Sequence, residues 1–281
     1  MPLEEGQVQL RGLVMGPGTA YRFDKHNHFN PFQRSARTEA TGPRPWRDGA
    51  WSGREVTEAA AIPMRLHTVG GGSAGMLALE RPLAAAFAPS DVDLELRFVI
   101  GGQELVMFGR PRIVAPEPRR TDGTTYYSLG FEALDPTIYS AVEHVETLGL
   151  PSTAGGLEFP ATFPATFPAT VTSGRRTLVN AGTKPTRLLL RVDGPVPQPR
   201  VSILAAGVVT RLRMLLDLPA GQWLDVDTAA RTALLQGQVS RRNLVPGAWP
   251  LLPAGGAEIA FDADVVEPAA LLTVRWRDAW H

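Results

Sequence analysis

The chain has 281 residues, enough for two domains of ordinary size, and its 44% hydrophobic against 20% charged residues excludes a disordered protein. Twenty-eight basic residues cancel 28 acidic ones, so the positive excess with which a nucleic-acid binder neutralises phosphates is missing. With no cysteines, the chain excludes disulfide scaffolds, zinc–thiolate sites and thiol nucleophiles together.

The N-terminus, Met1-Pro2-Leu3-Glu4-Glu5, lacks the basic flank and apolar stretch of a secretory signal. No apolar segment approaches the roughly 20 residues that span a bilayer. The expectation is a soluble protein, made in a cytoplasm and not inserted in a membrane. Lys25 and Lys184 are the only lysines, so nearly every cation is a guanidinium.

Met76, Leu79, Leu83 and Phe87 lie at helical spacing. Pro82 interrupts them, which predicts one short helix near 76–88, starting late or kinked. In residues 91–100, Val92, Leu94, Leu96, Phe98 and Ile100 alternate with Asp91, Asp93, Glu95 and Arg97, the period of a half-buried antiparallel strand. Gly101-Gly102 supplies a two-residue hairpin turn into a strand over 104–108. A further strand over 112–114 leads through Asp122-Gly123 to 124–133, where Tyr127, Leu129 and Phe131 share a face.

Residues 159–170 read Phe-Pro-Ala-Thr three times. Each proline lacks an amide donor and restricts the phenylalanine before it to extended conformations. Such a repeat suits a semi-rigid connection, and together with the loop-like 152–156 it places a domain boundary at about 150–170. Beyond it, short apolar segments at 186–192, 200–204, 212–218, 223–227, 233–235, 258–261 and 271–276 are separated by Gly/Pro turns such as Pro219-Ala220-Gly221. Seven or so such strands indicate a sandwich, and no βαβ alternation occurs.

Residues that could carry chemistry have a plainer reading in each case. Gly71-Gly72-Ser73-Ala74-Gly75 matches a nucleophile elbow, but that motif works above a parallel sheet with a later histidine, and only His144 and His281 follow. His26-Asn27-His28 offers two imidazoles where a zinc site needs three or four ligands. Asp91/Asp93/Glu95, Asp225/Asp227 and Asp262/Asp264 fall where the solvent face of a strand falls. Arg175-Arg176 and Arg241-Arg242 suit ion pairs. Trp46, Trp51, Trp223, Trp249, Trp276 and Trp280 could stack on sugars, but suit a core or a subunit interface equally well. No catalytic residue, cofactor or metal site emerges, and no enzyme is expected.

A set of short motifs, weak singly, occurs in an order that resembles the distal tail proteins, or minor tail proteins, of long-tailed phages of actinobacteria. They are Gly16-Pro17-Gly18-Thr19, Arg47-Asp48-Gly49-Ala50-Trp51-Ser52-Gly53-Arg54, Phe87-Ala88-Pro89 and Gly109-Arg110-Pro111-Arg112. Phe131-Glu132-Ala133-Leu134-Asp135-Pro136 with Tyr139-Ser140, then Asn180-Ala181-Gly182-Thr183-Lys184-Pro185-Thr186 and Asp193-Gly194-Pro195, continue the series. Val274-Arg275-Trp276-Arg277-Asp278-Ala279-Trp280 closes it as its most specific member.

The resemblance implies a mainly β protein with an N-terminal β-rich belt domain over 1–150 that forms a homo-hexameric ring. A Pro-rich linker over 151–170 would join it to a galectin-like or carbohydrate-module-like β-sandwich over 171–281. The ring would sit at the distal end of the virion tail, assembled in the host bacterial cytoplasm. It would connect the tail tube protein to the tail-tip hub protein and meet the tape measure protein. The arginine-rich stretch holding Arg44, Trp46, Arg47, Trp51 and Arg54 is the expected subunit interface, because arginine and tryptophan are enriched at interface centres. The competing reading is a carbohydrate-binding or receptor-binding accessory of the tail tip.

Overall fold

The computed structural model describes residues 2–24, 29–69, 72–117, 124–154 and 170–281. The fold is mainly β with one α-helix among the described residues, as the alternation implies. It divides into two compact units, Met1–Ala141 with His281, and Val142–Trp280.

The first unit opens with β1 (Val8–Leu10), β2 (Leu13–Met15) and β3 (Tyr21–Phe23). Four short strands follow: β4 (Ala36–Thr38), β5 (Gly42–Pro43), β6 (Ala50–Trp51) and β7 (Glu55–Thr57). Then come β8 (Ala60–Thr68), α1 (Gly72–Ala86), β9 (Leu94–Ile100), β10 (Gln103–Pro116), β11 (Tyr126–Ala133) and β12 (Ile138–Ser140). The main sheet runs β2-β1-β9-β10-β11-β8-β3, with β12 beside β10. Its two ends meet where the amide of Gly16 donates to the Tyr21 carbonyl at 2.7 Å, so the sheet curls almost into a barrel. Strict alternation buries Ile62, Met64 and Leu66 of β8 and Tyr127, Leu129 and Phe131 of β11 inside the curl. Each such side chain contributes about 1.5–3 kcal/mol.

The two strands expected over 104–108 and 112–114 are one long strand. Residues 103–109 of β10 pair with β9 and residues 110–116 with β11, and the register slips between Pro111 and Ile113. Proline removes a ladder donor and is confined to such bulges. At Gly109 a Cβ would lie 2.2 Å from the Glu132 carbonyl oxygen, so only glycine lets the strands approach there.

The helix starts four residues earlier than the spacing predicts and holds Pro82 in its interior. Two long-range contacts fix it. The Tyr21 hydroxyl donates to the Leu79 carbonyl at 2.9 Å, and Arg11 Nη1 donates to the carbonyls of Ala85 and Ala88 at 3.1 Å each. These last bonds satisfy C-terminal carbonyls that the helix cannot, and place a cation at the negative end of its dipole. Burial of the Tyr21 ring raises its hydroxyl pKa. Leu83, Ala86 and Phe87 turn into the core.

The Gly101-Gly102 turn forms as expected, with both φ positive at 63° and 72° and Ile100 paired to Gln103. Glu5 clamps it: its carboxylate accepts the amides of Gly101 and Gly102 at 2.9 and 2.8 Å. Asp122 and Gly123 lie outside the described residues.

The second unit comprises β13 (His144–Gly149), β14 (Ser152–Ala154), β15 (Thr170–Thr172), β16 (Arg175–Leu178), β17 (Leu189–Asp193), β18 (Val196–Pro197) and β19 (Arg200–Ala205). It continues with β20 (Val208–Arg213), β21 (Asp217–Leu218), β22 (Trp223–Asp227), β23 (Thr232–Leu235) and β24 (Val239–Ser240). A 3-10 turn at Arg242–Leu244 precedes β25 (Ala257–Asp262), β26 (Leu271–Trp276) and β27 (Ala279–Trp280). Sheet β13-β26-β17-β22-β23-β24 faces sheet β16-β25-β19-β20. They share one core, with Leu190, Val192, Leu224 and Val274 from the first and Val201, Ile203, Leu212 and Phe261 from the second. This is the expected β-sandwich.

The boundary differs from the expected 1–150, 151–170 and 171–281. β13 pairs along its whole length with β26, and Leu148 and Leu150 are buried in the sandwich core. The Phe-Pro-Ala-Thr repeats at 159–169 lie outside the described residues, but their flanks do not. Ser152 pairs with Thr172, Thr153 with Val171 and Ala154 with Thr170. The repeats therefore lie between two paired strands of one unit, and the chain crosses between units near Ala141 instead. Low-complexity composition marks a loop without saying which elements it joins.

Two outcomes test this description. Cleavage at a protease site inserted after Ala161 should leave the two pieces together in gel filtration, because β13 and β14 stay paired across the cut; separate elution would overturn the boundary. The Glu5 carboxylate is held below its usual pKa of 4.5 by the Gly102 and then the Gly101 amide. A depressed folded-state pKa gives stability that is present above the unfolded value and lost as pH falls through the folded one. Glu5→Gln should therefore flatten the dependence of melting temperature on pH at and below 4.5; an unchanged profile would show that the clamp adds nothing.

Candidate assembly surface

Residues 35–59 leave the first unit as a hairpin arm. Ala36, Arg37 and Thr38 pair with Thr57, Val56 and Glu55, and Gly42 and Pro43 pair with Trp51 and Ala50. Between the two ladders the backbones nearly touch: a Cβ on Gly53 would stand 1.6 Å from the Glu39 carbonyl oxygen. At the tip the Arg44 amide donates to the Gly49 carbonyl, and Trp46 takes a positive φ of 60°. No residue from 35 to 59 is buried. Trp46 is 102% exposed and Trp51 63%.

All five residues expected at an interface stand on this arm. The Arg44 guanidinium lies 4.8 Å from the centre of the Trp51 ring, and Arg47 and Arg54 point to solvent. At the base, Arg34 donates through Nη1 to the carbonyls of Pro31 and Gln33. Desolvation lowers its pKa, against the opposing charge of Asp135. A two-stranded ribbon is marginal in water on its own. This one exposes two tryptophans, and exposed apolar surface of that kind is what interaction sites present.

The residues considered for chemistry are dispersed. The strand before Ser73, β8, runs antiparallel to both neighbours, so the parallel-sheet setting of a nucleophile elbow is missing. His26 and His28 lie outside the described residues. Among the described residues no group of three or more metal-binding side chains converges. Most of the carboxylates have partners: Asp93 with Arg110 at 2.8 Å, Glu95 with Arg97 at 2.6 Å, Asp262 and Asp264 with Arg200 at 3.2 and 2.8 Å. Asp225 accepts the Trp223 indole N–H at 2.9 Å, and Asp227 accepts the amides of Ala229 and Ala230. Arg175 pairs with Glu258 at 2.8 Å.

Three tryptophans of the second unit are engaged. Arg191 lies 4.4 Å over the Trp223 ring and Arg242 4.5 Å over Trp249. Trp276 is buried, stacks on His144, and donates its indole N–H to the Val179 carbonyl. Each thus has a ring face occupied by a neighbour.

Two of the motifs quoted for the resemblance, 180–186 and 274–280, converge at a joint that sequence inspection alone did not reveal. Asn180 is fully buried; its amide nitrogen donates to the carbonyls of Lys184, Leu252 and Pro253, and its oxygen accepts the amides of Gly182 and Ala279. Asp278 accepts the Ala181 amide at 2.9 Å and meets His144 Nε2 at 3.1 Å. A Cβ on Gly182 would lie 1.9 Å from the Ala279 carbonyl oxygen. One side chain thus ties three segments together, which explains Asn-Ala-Gly and Asp-Ala-Trp as structural motifs. Asn180→Ala should destabilise the second unit by about 2–4 kcal/mol, since several buried groups lose their partner at once. Chemical denaturation would read this, and a loss below about 0.5 kcal/mol would contradict it.

No protein-family model matches the chain, and no curated protein does. Among solved structures, the Dit protein (gp 19.1) of phage SPP1, described as a paradigm of the hub adsorption apparatus in phages infecting Gram-positive bacteria, is similar at TM-score 0.64 and 12% identity. The match covers 98% of this chain and 99% of that one. A chain of the phage P2 baseplate, in its activated conformation with Ca, matches at TM-score 0.52 and 12% identity over 96% and 97% of the two chains. The Sr-bound form of that baseplate gives 0.51 and 11% over 96% of each. Over nearly its entire length, both units included, the chain has the fold of the SPP1 Dit protein.

Proposed function

We propose that the protein is a non-enzymatic distal tail protein of a long-tailed phage. Six copies close a ring at the end of the tail, joining the tail tube protein to the tail-tip hub protein, with the tape measure protein reaching the same place. It works without a cofactor, binds no nucleic acid itself, and is assembled in the host cytoplasm, an actinobacterium by the order of its motifs. The observation that carries this reading is the correspondence of the whole chain with one protein of a phage adsorption hub. A shared fold alone supports many functions, but a match that spans both units and leaves no part over narrows the choice.

The arm gives the ring its contact. Ring closure needs two different surfaces on each subunit, repeated through a fixed rotation. The 35–59 hairpin is one such surface; it lies across the neighbouring first unit, where Trp46 and Trp51 are covered and Arg44, Arg47 and Arg54 form the polar surround. Buried tryptophans at such centres cost about 2 kcal/mol or more when truncated. Negative-stain microscopy and light scattering of the purified protein should show a closed six-fold ring. Trp46→Ala/Trp51→Ala should give a folded monomer at concentrations where the parent is assembled. A parent that is monomeric at every concentration would refute the ring, and rings unaffected by the double substitution would refute the arm as its contact.

A further inference from the structure

The outer face of the β16-β25-β19-β20 sheet carries a depression of about 550 Å³, in the size range of ligand sites. Strand register explains its shape. Val201 and Ile203 of β19 point to the core, so Arg200, Ser202 and Leu204 point away from it. Pairing sets Arg211 beside Ser202, Ser202 beside Ala260, and Ala260 beside Arg175. This row has two small side chains in its middle and an arginine at each end, about 14 Å apart across three strand spacings. The row on one side is Arg213, Arg200 and Asp262; on the other it is Val209, Leu204 and Glu258. The floor is thus lined by small side chains, one wall carries two arginines with Asp262, and the other carries Val209 and Leu204 with Glu258.

Charge within the depression is unbalanced. Arg175 is neutralised by Glu258, and Arg200 by Asp262 and Asp264. The side chains of Arg211 and Arg213, on the edge strand, have no hydrogen-bond or ion-pair partner among the described residues. Arg213 stands directly opposite Arg200, whose own charge Asp262 and Asp264 already offset, so the uncompensated charge of the pair is that of Arg213. Among the described residues around the depression Phe261 is the only aromatic one and is itself buried, so none of them offers the flat stacking platform used for neutral sugars. The guanidinium fork suits the oxygen pair of a phosphate or carboxylate, Ser202 offers a hydroxyl, and Leu204 with Val209 offers a surface for C–H groups.

We propose that this depression binds an anionic group carried on a hydroxylated chain, a phosphate-bearing polyol or a carboxylate-bearing saccharide, with Arg211 and Arg213 holding the charge. The inference does not rest on ring formation and stands for a monomer equally. The test is calorimetric titration of the full-length protein at low salt with poly(glycerol phosphate), polygalacturonate oligomers, neutral dextran and polyglutamate.

At least one of the two anionic hydroxylated polymers should bind and dextran should not; which of them binds identifies the anion. Arg211→Ala/Arg213→Ala should weaken that binding at least about tenfold, as expected for losing charge-assisted bonds. Arg22→Ala/Arg81→Ala, which removes the same charge from exposed sites of the first unit, should leave it unchanged. Circular dichroism of each variant should overlay the parent, since the four arginines lie on the surface. Absence of binding to both anionic polymers would overturn the proposal, as would equal weakening by the control pair. Binding of polyglutamate alone would replace the ligand with an acidic protein segment.

Discussion

The first unit depends on one strand changing partners. β10 begins against β9 and ends against β11, and the bend at Gly109–Pro111 makes both possible. Gly109 permits the close approach to Glu132, and Pro111 marks the place where the ladder slips. Ion pairs brace each side of the bend: Arg110 with Asp93, and Arg112 with Glu132 at 2.6 Å. Without it, β9 and β11 could not belong to one curled sheet and the interior that buries Phe98 and Phe131 would be open. A strand that switches sheets at a bulge is how a flat ladder becomes a corner.

Once the sheet curls, the rest of the unit is organised around closing it. Arg11, in the tight turn between β1 and β2, reaches the C-terminal carbonyls of α1, and Tyr21 on β3 reaches its middle. The helix is tied to both ends of the sheet and survives a proline in its interior for that reason. The arm between β3 and β8 has no such support. It is built from paired backbone and exposed side chains, and a two-stranded ribbon of that kind is marginal in water on its own.

The second unit solves a different problem, that of tying distant segments of a sandwich together. Asn180, Asp278 and Gly182 bring the 180–184 loop, the segment at Leu252–Pro253 and the C-terminal residues into one hydrogen-bonded joint. The long-range bonds from the 180–181 segment span 72 to 99 residues of chain. That spacing makes the joint costly to form and strongly stabilising once the sheets have met.

The sequence by itself determined the β class, the strands expected over 91–100, 124–133 and 223–227, which form at Leu94–Ile100, Tyr126–Ala133 and Trp223–Asp227, and the Gly101-Gly102 turn. These are local properties, set by a two-residue period or by a turn that only glycine can make. The tertiary structure decided the rest. It gave His144–Gly149 to the sandwich, paired the two strands that flank the Phe-Pro-Ala-Thr repeats, began the helix at Gly72, and brought Asn180 and Asp278 into one joint. It also set Arg211 and Arg213 on one face, opposite Ser202 and Arg200. Each of these depends on which distant strand becomes a neighbour, and alternation along one strand is the same whichever partner lies beside it.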